Sequence, residues 1–241
     1  ARPCRCNPTA KPVPGSTPPI EKQARGTSSS DLATARFSEG RFGSFRGPST
    51  PVADRRTSAI YDAQADAWIE RRGPVAVEDG RLDRFAAALA PGARVADLGS
   101  GPAWYAAAFK ARGFRTVAID LSLAMLRRAP EHLARVRADL LELPLRAGSL
   151  DAAWAMNCYQ HLPLGSLPLG LVHLHRALRI DAPLEMTLAR MPDDVTPQEH
   201  RMGEAERRST GATGNHPGRL FSHYSEERIR TLLEGAGFSD I

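Results

Sequence analysis

Lysine is nearly missing from this sequence: Lys11, Lys22 and Lys110 are the only three among 32 basic residues. A genome that favours arginine codons accounts for this, because no arginine cluster of the nucleic-acid-binding kind occurs in the folded part. Cysteine is as scarce. Cys4 and Cys6 stand too close for an easy disulfide, and Cys158 is alone. No disulfide framework and no metal-ligand spacing emerge, so no metal site is expected, and a reducing cytosolic setting fits. Long apolar runs are missing too. None reaches the ~18 residues of a membrane span, and the first twenty residues lack the apolar segment of a secretory signal. Those residues are rich in Arg, Pro and Ser, with no acid before Glu21, and the chain opens on Ala1 without a methionine. An organellar transit peptide or an over-extended reading frame would look the same.

The formal net charge is +5 in 241 residues, and its location decides its meaning. Residues 1–56 hold ten basic and four acidic side chains, whereas residues 57–241 hold 22 and 23. The surplus therefore belongs to the amino-terminal stretch. A near-neutral remainder disfavours a surface that tracks phosphates. Residues 1–51 contain eight of the nineteen prolines. Such a stretch cannot bury enough apolar surface to offset its ordering entropy. A basic Pro/Ser/Arg-rich disordered tail over 1–56 and one domain over 57–241 are expected.

The domain reads as alternating strands and helices. Ile60, Tyr61, Ala65, Trp68 and Ile69 fall at helical spacing, as do Leu82, Phe85, Ala86 and Leu89. Short apolar strands follow over 94–98, 116–120, 135–138, 150–156 and 184–189. Helices stand between or after them over 104–112, 123–129, 167–178 and 225–234. A polar connection runs from Arg190 to about Leu220, long enough to cover a substrate. Buried parallel strands joined by helices imply an α/β, doubly wound, mostly parallel Rossmann-like sheet with helices on both faces. Ligand then sits at the carboxyl edge of the strands. Asp97, Asp120 and Asp139 each stand at or just after a strand end, at that edge.

The loop Gly99-Ser100-Gly101 joins the first of these strands to its helix. Glycine there allows close backbone approach and positive φ, and amides at a helix start favour an anionic group. Asp120 follows Gly101 by nineteen residues, where a carboxylate accepts both hydroxyls of a ribose. The rival reading makes Asp120 the N-cap of the helix near Leu123. The glycine loop one crossover earlier favours the ribose.

Val95-Ala96-Asp97-Leu98-Gly99-Ser100-Gly101-Pro102-Ala103 resembles motif I of class I S-adenosylmethionine-dependent methyltransferases. Val117 to Ser122 resembles their second motif. Asp139-Leu140-Leu141-Glu142-Leu143-Pro144 with Ser149-Leu150-Asp151 resembles the third, and His175 to Leu184 the stretch before the fifth strand. The resemblance covers about Ala59 to Ile241. It implies S-adenosylmethionine as cofactor, with Gly99, Ser100 and Gly101 on its methionine part and Asp97 holding the ammonium through the loop. It places Asp120 on the ribose, Leu121 and Met125 along the adenine, Asp139 on the adenine amino group with Leu140 beside it, and Asn157 near the reactive end. Tyr61 resembles the aromatic of the family's amino-terminal lid helix, and core packing explains it equally well. Two departures stand out. Ala103 replaces the third glycine, which would put a methyl group near the cofactor's tail. The family's closing hairpin is missing after Phe238, which would leave a sheet edge uncovered.

Methyl transfer needs positioning more than a side-chain catalyst, although a protic nucleophile benefits from a base. Tyr159 and His161 lie beyond the fourth strand, on the expected substrate side, and His161 is the candidate base. A loop histidine that shapes the pocket is the competing reading. His200, His216 and His223 read as surface residues, and His173 and His175, two apart on a helix, face apart, which disfavours a metal pair. The implied activity is methyl transfer to a small molecule, with nucleic acid and membrane disfavoured as partners. A non-catalytic cofactor-binding domain is the first alternative. A nicotinamide-dependent oxidoreductase is the second, and Trp104 opposes it, since the dinucleotide pattern wants a small residue there.

Overall fold

A computed structural model describes residues 4–6, 52–73, 80–191, 196–203 and 217–241. Most of the expected tail over 1–56 lies outside the described residues. The seven-stranded sheet contains β1 (Cys4–Cys6), β2 (Arg94–Leu98), β3 (Arg115–Asp120), β4 (Ala134–Arg137), β5 (Ala152–Met156), β6 (Pro183–Thr187) and β9 (Phe238–Ser239). A separate two-stranded ribbon pairs β7 (Gln198–Arg201) with β8 (Leu220–His223). The helices are α1 (Arg55–Ala63), α2 (Ala65–Arg72), α3 (Arg81–Ala87), α4 (Trp104–Ala111), α5 (Leu123–Leu126), α6 (Leu167–Ala177) and α7 (Glu226–Gly235).

The sheet order is β4-β3-β2-β5-β6-β1-β9. The first five strands run parallel, and the order reverses between β2 and β5. That reversal opens a crevice at the carboxyl ends of the two strands, where doubly wound sheets bind ligands. Strand β2 is buried along almost its whole length, as its unbroken apolar run requires when helices cover both faces. On one face Trp154 is fully buried, with Phe85, Tyr105 and Phe109 packed 5.2–5.4 Å away, centroid to centroid. On the other face Leu167, Leu171 and Leu174 bring α6 onto the sheet. Each fully buried leucine contributes roughly 1.5–3 kcal/mol. At the sheet's opposite end, Asp151 accepts from both Arg94 and Arg179.

Four expectations change. The expected uncovered edge is paired: β1 lies antiparallel between β6 and β9, so three residues of the expected disordered tail are part of the sheet. Order resumes before Thr57, because Asp54 N-caps α1 through the Thr57 amide and hydroxyl. The single helix expected around Tyr61 and Trp68 is two helices, broken at Gln64 (φ −122°, ψ 18°). The connection beyond Arg190 contains the β7/β8 ribbon, which polar composition hid.

Candidate functional site

One cavity of about 790 Å³ opens at the reversal point. Its floor is the turn from β2 into α4. Gly99 takes φ +58° there, and a Cβ on it would lie 2.1 Å from Cys158 Cβ. The glycine therefore lets the loop after β5 cross directly over the loop after β2. Ala103 also takes positive φ, 61°, but its methyl is fully buried among Ala106, Ala118, Leu126, Ala129 and Leu133. It does not border the cavity, so the expected methyl group near a cofactor's tail is corrected. It is instead a core contact that offsets part of the left-handed strain.

Two carboxylates end the central strands beside this floor. Asp97 is buried and accepts from the Ala106 amide. Burial, with the nearby charge of Asp120, pushes its pKa up to about 8. Asp120 accepts from the amides of Gly101 (2.8 Å) and Ser122 (2.7 Å). Burial raises its pKa as well, and Asp62 adds to the rise. The N-cap of α5 is Ser122, so that reading of Asp120 gives way. Among the described residues no basic side chain neutralises either carboxylate, and both line the cavity. The buried hydroxyl of Ser100 has no hydrogen-bond partner among the described residues. This donor-poor wall fits a ligand that carries an ammonium group and vicinal hydroxyls.

Leu121, Met125, Leu140 and Asn157 also line the cavity. Asn157 sits at positive φ, 55°. Asp139 does not line it. Its carboxylate accepts from the amides of Ala53 and Leu141, holding the chain that enters α1, so its expected reach to an adenine is corrected. Tyr159 is corrected too: its side chain is fully buried beside Gly170 and away from the cavity.

The opposite wall comes from α1, α2 and the ribbon. Tyr61 Oη lies 3.1 Å from His161 Nε2, and His161 Nδ1 lies 2.7 Å from the Leu220 carbonyl. Arg219 donates to Tyr61 Oη at 2.6 Å and stacks on the rings of Tyr61 and Phe221. Burial, with Arg219 nearby, lowers the His161 pKa to about 4, so the ring is neutral at pH 7. Trp68 and Trp104 stack at 5.5 Å, and Arg72 lies over Trp68. Three contacts fasten α1 to the ribbon: Asp54 with Arg201, Thr57 with the Leu220 amide, and Tyr61 with Arg219.

Sequence reasoning missed Arg219, Trp68 and Asp62. Trp68 follows Tyr61 by seven residues, two helical turns, and that spacing was the available signal. Asp62 accepts from Ser122 and Ala124 and so ties α1 to α5. Arg219 carries no local signal, because only the ribbon brings it back to Tyr61.

Residues 95–181 match the family model described as a methyltransferase domain. Malonyl-acyl-carrier-protein O-methyltransferase of Erwinia pyrifoliae is 35% identical over 89 residues, 36% of this chain and 33% of that protein. The chain thus spans a third of the length of the curated relative it matches. Among solved structures, the 1,6-didemethyltoxoflavin-N1-methyltransferase of Burkholderia thailandensis, with S-adenosylhomocysteine bound, is 21% identical, with a TM-score of 0.53 over 78% of this chain and 81% of that one. The (4+2)-cyclase SpnF is 18% identical, with a TM-score of 0.54 over 79% of this chain and 73% of that one. These two likenesses show the fold.

Proposed function

We propose that the chain, whose residues 95–181 match the methyltransferase-domain family model, is a class I S-adenosylmethionine-dependent methyltransferase that binds its cofactor in the cavity and methylates a small molecule. The observation that carries this reading is the pair of carboxylates, buried Asp97 and half-buried Asp120, on one cavity wall with no basic side chain among the described residues paired to them. A cationic, hydroxyl-bearing ligand relieves both. The backbone of Gly99, Ser100 and Gly101 holds the methionine part, and Asp97 draws the ammonium. Asp120 keeps lone pairs for the ribose beyond its two amide bonds. Leu121, Met125 and Leu140 line the adenine. Asn157 and Tyr61 border the reactive end. The bound cofactor supplies a methyl group on a sulfonium.

The chain's own work is to position the acceptor and to take up its proton where it has one. His161, neutral at pH 7, stands on the acceptor side with its Nε2 3.1 Å from Tyr61 Oη. The near-neutral domain and the cavity of about 790 Å³ favour a small acceptor over a nucleic acid. No described helix is long and apolar enough to cross a membrane. The fold alone does not fix the reaction, as the cyclase shows, so binding and turnover need separate tests. Calorimetry with S-adenosylmethionine, S-adenosylhomocysteine and NAD tests the cofactor. Binding of the first two and none of NAD is expected, with loss of affinity in Asp120→Ala. NAD binding alone, or unchanged affinity in Asp120→Ala, refutes the assignment. Transfer of labelled methyl across a panel of small protic molecules tests turnover.

A further inference from the structure

We infer that Asp139 serves the cofactor site as a positioning residue for the chain entering α1, and that the cofactor's purine is accordingly selected by shape and apolar contact, not by its 6-amino group. This rests on the S-adenosylmethionine reading and narrows it, because a 6-oxo purine should then be accepted in place of adenine. Asp139 stands just past β4, in a loop that its neighbours hold in place. The Ala138 amide donates to the Asp120 carbonyl at 3.1 Å, and the Glu142 amide donates to the Asp139 carbonyl at 3.0 Å. The side chain completes the turn. One carboxylate oxygen accepts from the Leu141 amide, two residues on, at 2.9 Å, as aspartates do in tight turns. The other accepts from the Ala53 amide at 2.9 Å, across 86 positions.

The two ends of that last bond face different surroundings. Ala53 lines the cavity together with Leu121, Met125 and Leu140, whereas Asp139 does not. The chain that Asp139 holds therefore borders the cavity in its stead. Ala53 also packs against the core that contains Leu140 and Leu162. The next residue, Asp54, caps α1 and pairs with Arg201, so the Asp139 contact helps to set where α1 begins. The apolar surface offered to a purine at this corner comes from Ala53, Leu121, Met125, Leu140 and Leu162. Dispersion and water exclusion scale with the area of the ring, which a 6-amino and a 6-oxo purine share almost equally. A carboxylate that read the amino group would behave otherwise. It accepts from an N–H, and it repels the oxygen of a 6-oxo base.

The test measures, by calorimetry on the full chain, the affinities for S-adenosylhomocysteine and for S-inosylhomocysteine, its 6-oxo counterpart. The two dissociation constants are expected to agree within about threefold, whereas a charge-assisted hydrogen bond to the amino group would separate them by about tenfold or more. Asp139→Asn keeps one acceptor oxygen. It should leave that ratio unchanged while lowering the unfolding midpoint and quickening amide exchange over residues 53–58. A side chain that read the purine would instead turn the preference towards the 6-oxo base, because a carboxamide donates to a carbonyl oxygen. Ala53→Trp fills the corner and should weaken both ligands alike by about tenfold, the worth of one side chain's apolar contact; thermal unfolding confirms that the variant folds. Discrimination beyond threefold against S-inosylhomocysteine, a ratio that changes in Asp139→Asn, or undiminished binding in folded Ala53→Trp overturns the inference. Failure of S-adenosylhomocysteine itself to bind overturns instead the cofactor reading beneath it, so the two failures are distinguishable.

Discussion

Gly99→Ala concentrates the reasoning about the site's floor in one atom. The added Cβ would lie 2.1 Å from Cys158 Cβ, 3.0 Å from its Sγ and 3.5 Å from its Cα. Carbon atoms in contact prefer about 3.5–4.0 Å, so the two loops must part by roughly 1.5 Å. The obstacle is a Cβ fixed to the backbone, which no rotamer change can move aside. Overpacking of this kind costs about 1–3 kcal/mol. The φ of +58° adds about 1–2 kcal/mol for a residue with a side chain. The expected loss is thus about 2–5 kcal/mol, a large part of the ~5–15 kcal/mol that holds a typical domain. Urea unfolding followed by circular dichroism measures it. A double-mutant cycle with Cys158→Gly separates the parts, because removing the opposing Cβ relieves the clash and leaves the dihedral cost. In that background the alanine should cost only about 1–2 kcal/mol. A loss below about 1 kcal/mol, or the same loss in both backgrounds, would refute the close-crossing account.

Three further outcomes are expected. Asp97, with its pKa raised to about 8, makes the ligand-free protein lose stability as pH rises from about 4 towards 8, because only the unfolded state ionises freely in that window; Asp97→Asn should flatten this dependence in unfolding measured across that range, and an equally steep profile would count against it. Tyr159→Phe removes a buried hydroxyl without a hydrogen-bond partner among the described residues and should stabilise by about 1 kcal/mol without altering cofactor affinity; loss of affinity would mean that the side chain reaches the ligand. Asp54→Ala removes the α1 N-cap and the Arg201 pair together, for about 1–3 kcal/mol, and hydrogen exchange should quicken across β7 and β8. Unchanged exchange there would show that the ribbon is held by something else.

The parallel core was legible because its signals are local. An apolar run such as Val95 to Leu98 can be satisfied only inside a two-faced sheet, and glycines at 99 and 101 mark where the chain must turn tightly. The carboxyl-edge rule then brought Asp97 and Asp120 to one place. Asp139 follows the same rule in sequence yet turns its oxygens to the Ala53 and Leu141 amides, because the segment entering α1 passes beside it. Tyr159 and His161 share a short loop, but one 3-10 turn (Tyr159–His161) sends the first into the core and the second to Tyr61. Two residues of spacing cannot distinguish these directions.

The strands of the parallel sheet and the glycine floor are local properties, legible in the sequence because burial, periodicity and φ belong to a residue and its near neighbours. The reversal in strand order, the opposite wall and the sheet's far edge come from tertiary contacts alone. Arg219 meets Tyr61 across 158 positions, and Cys4–Cys6 pairs with strands near the other end of the chain. Contacts at such separation depend on where the whole backbone returns, and a hydrogen-bond donor or a strand edge leaves no mark in the sequence of the partner it will find.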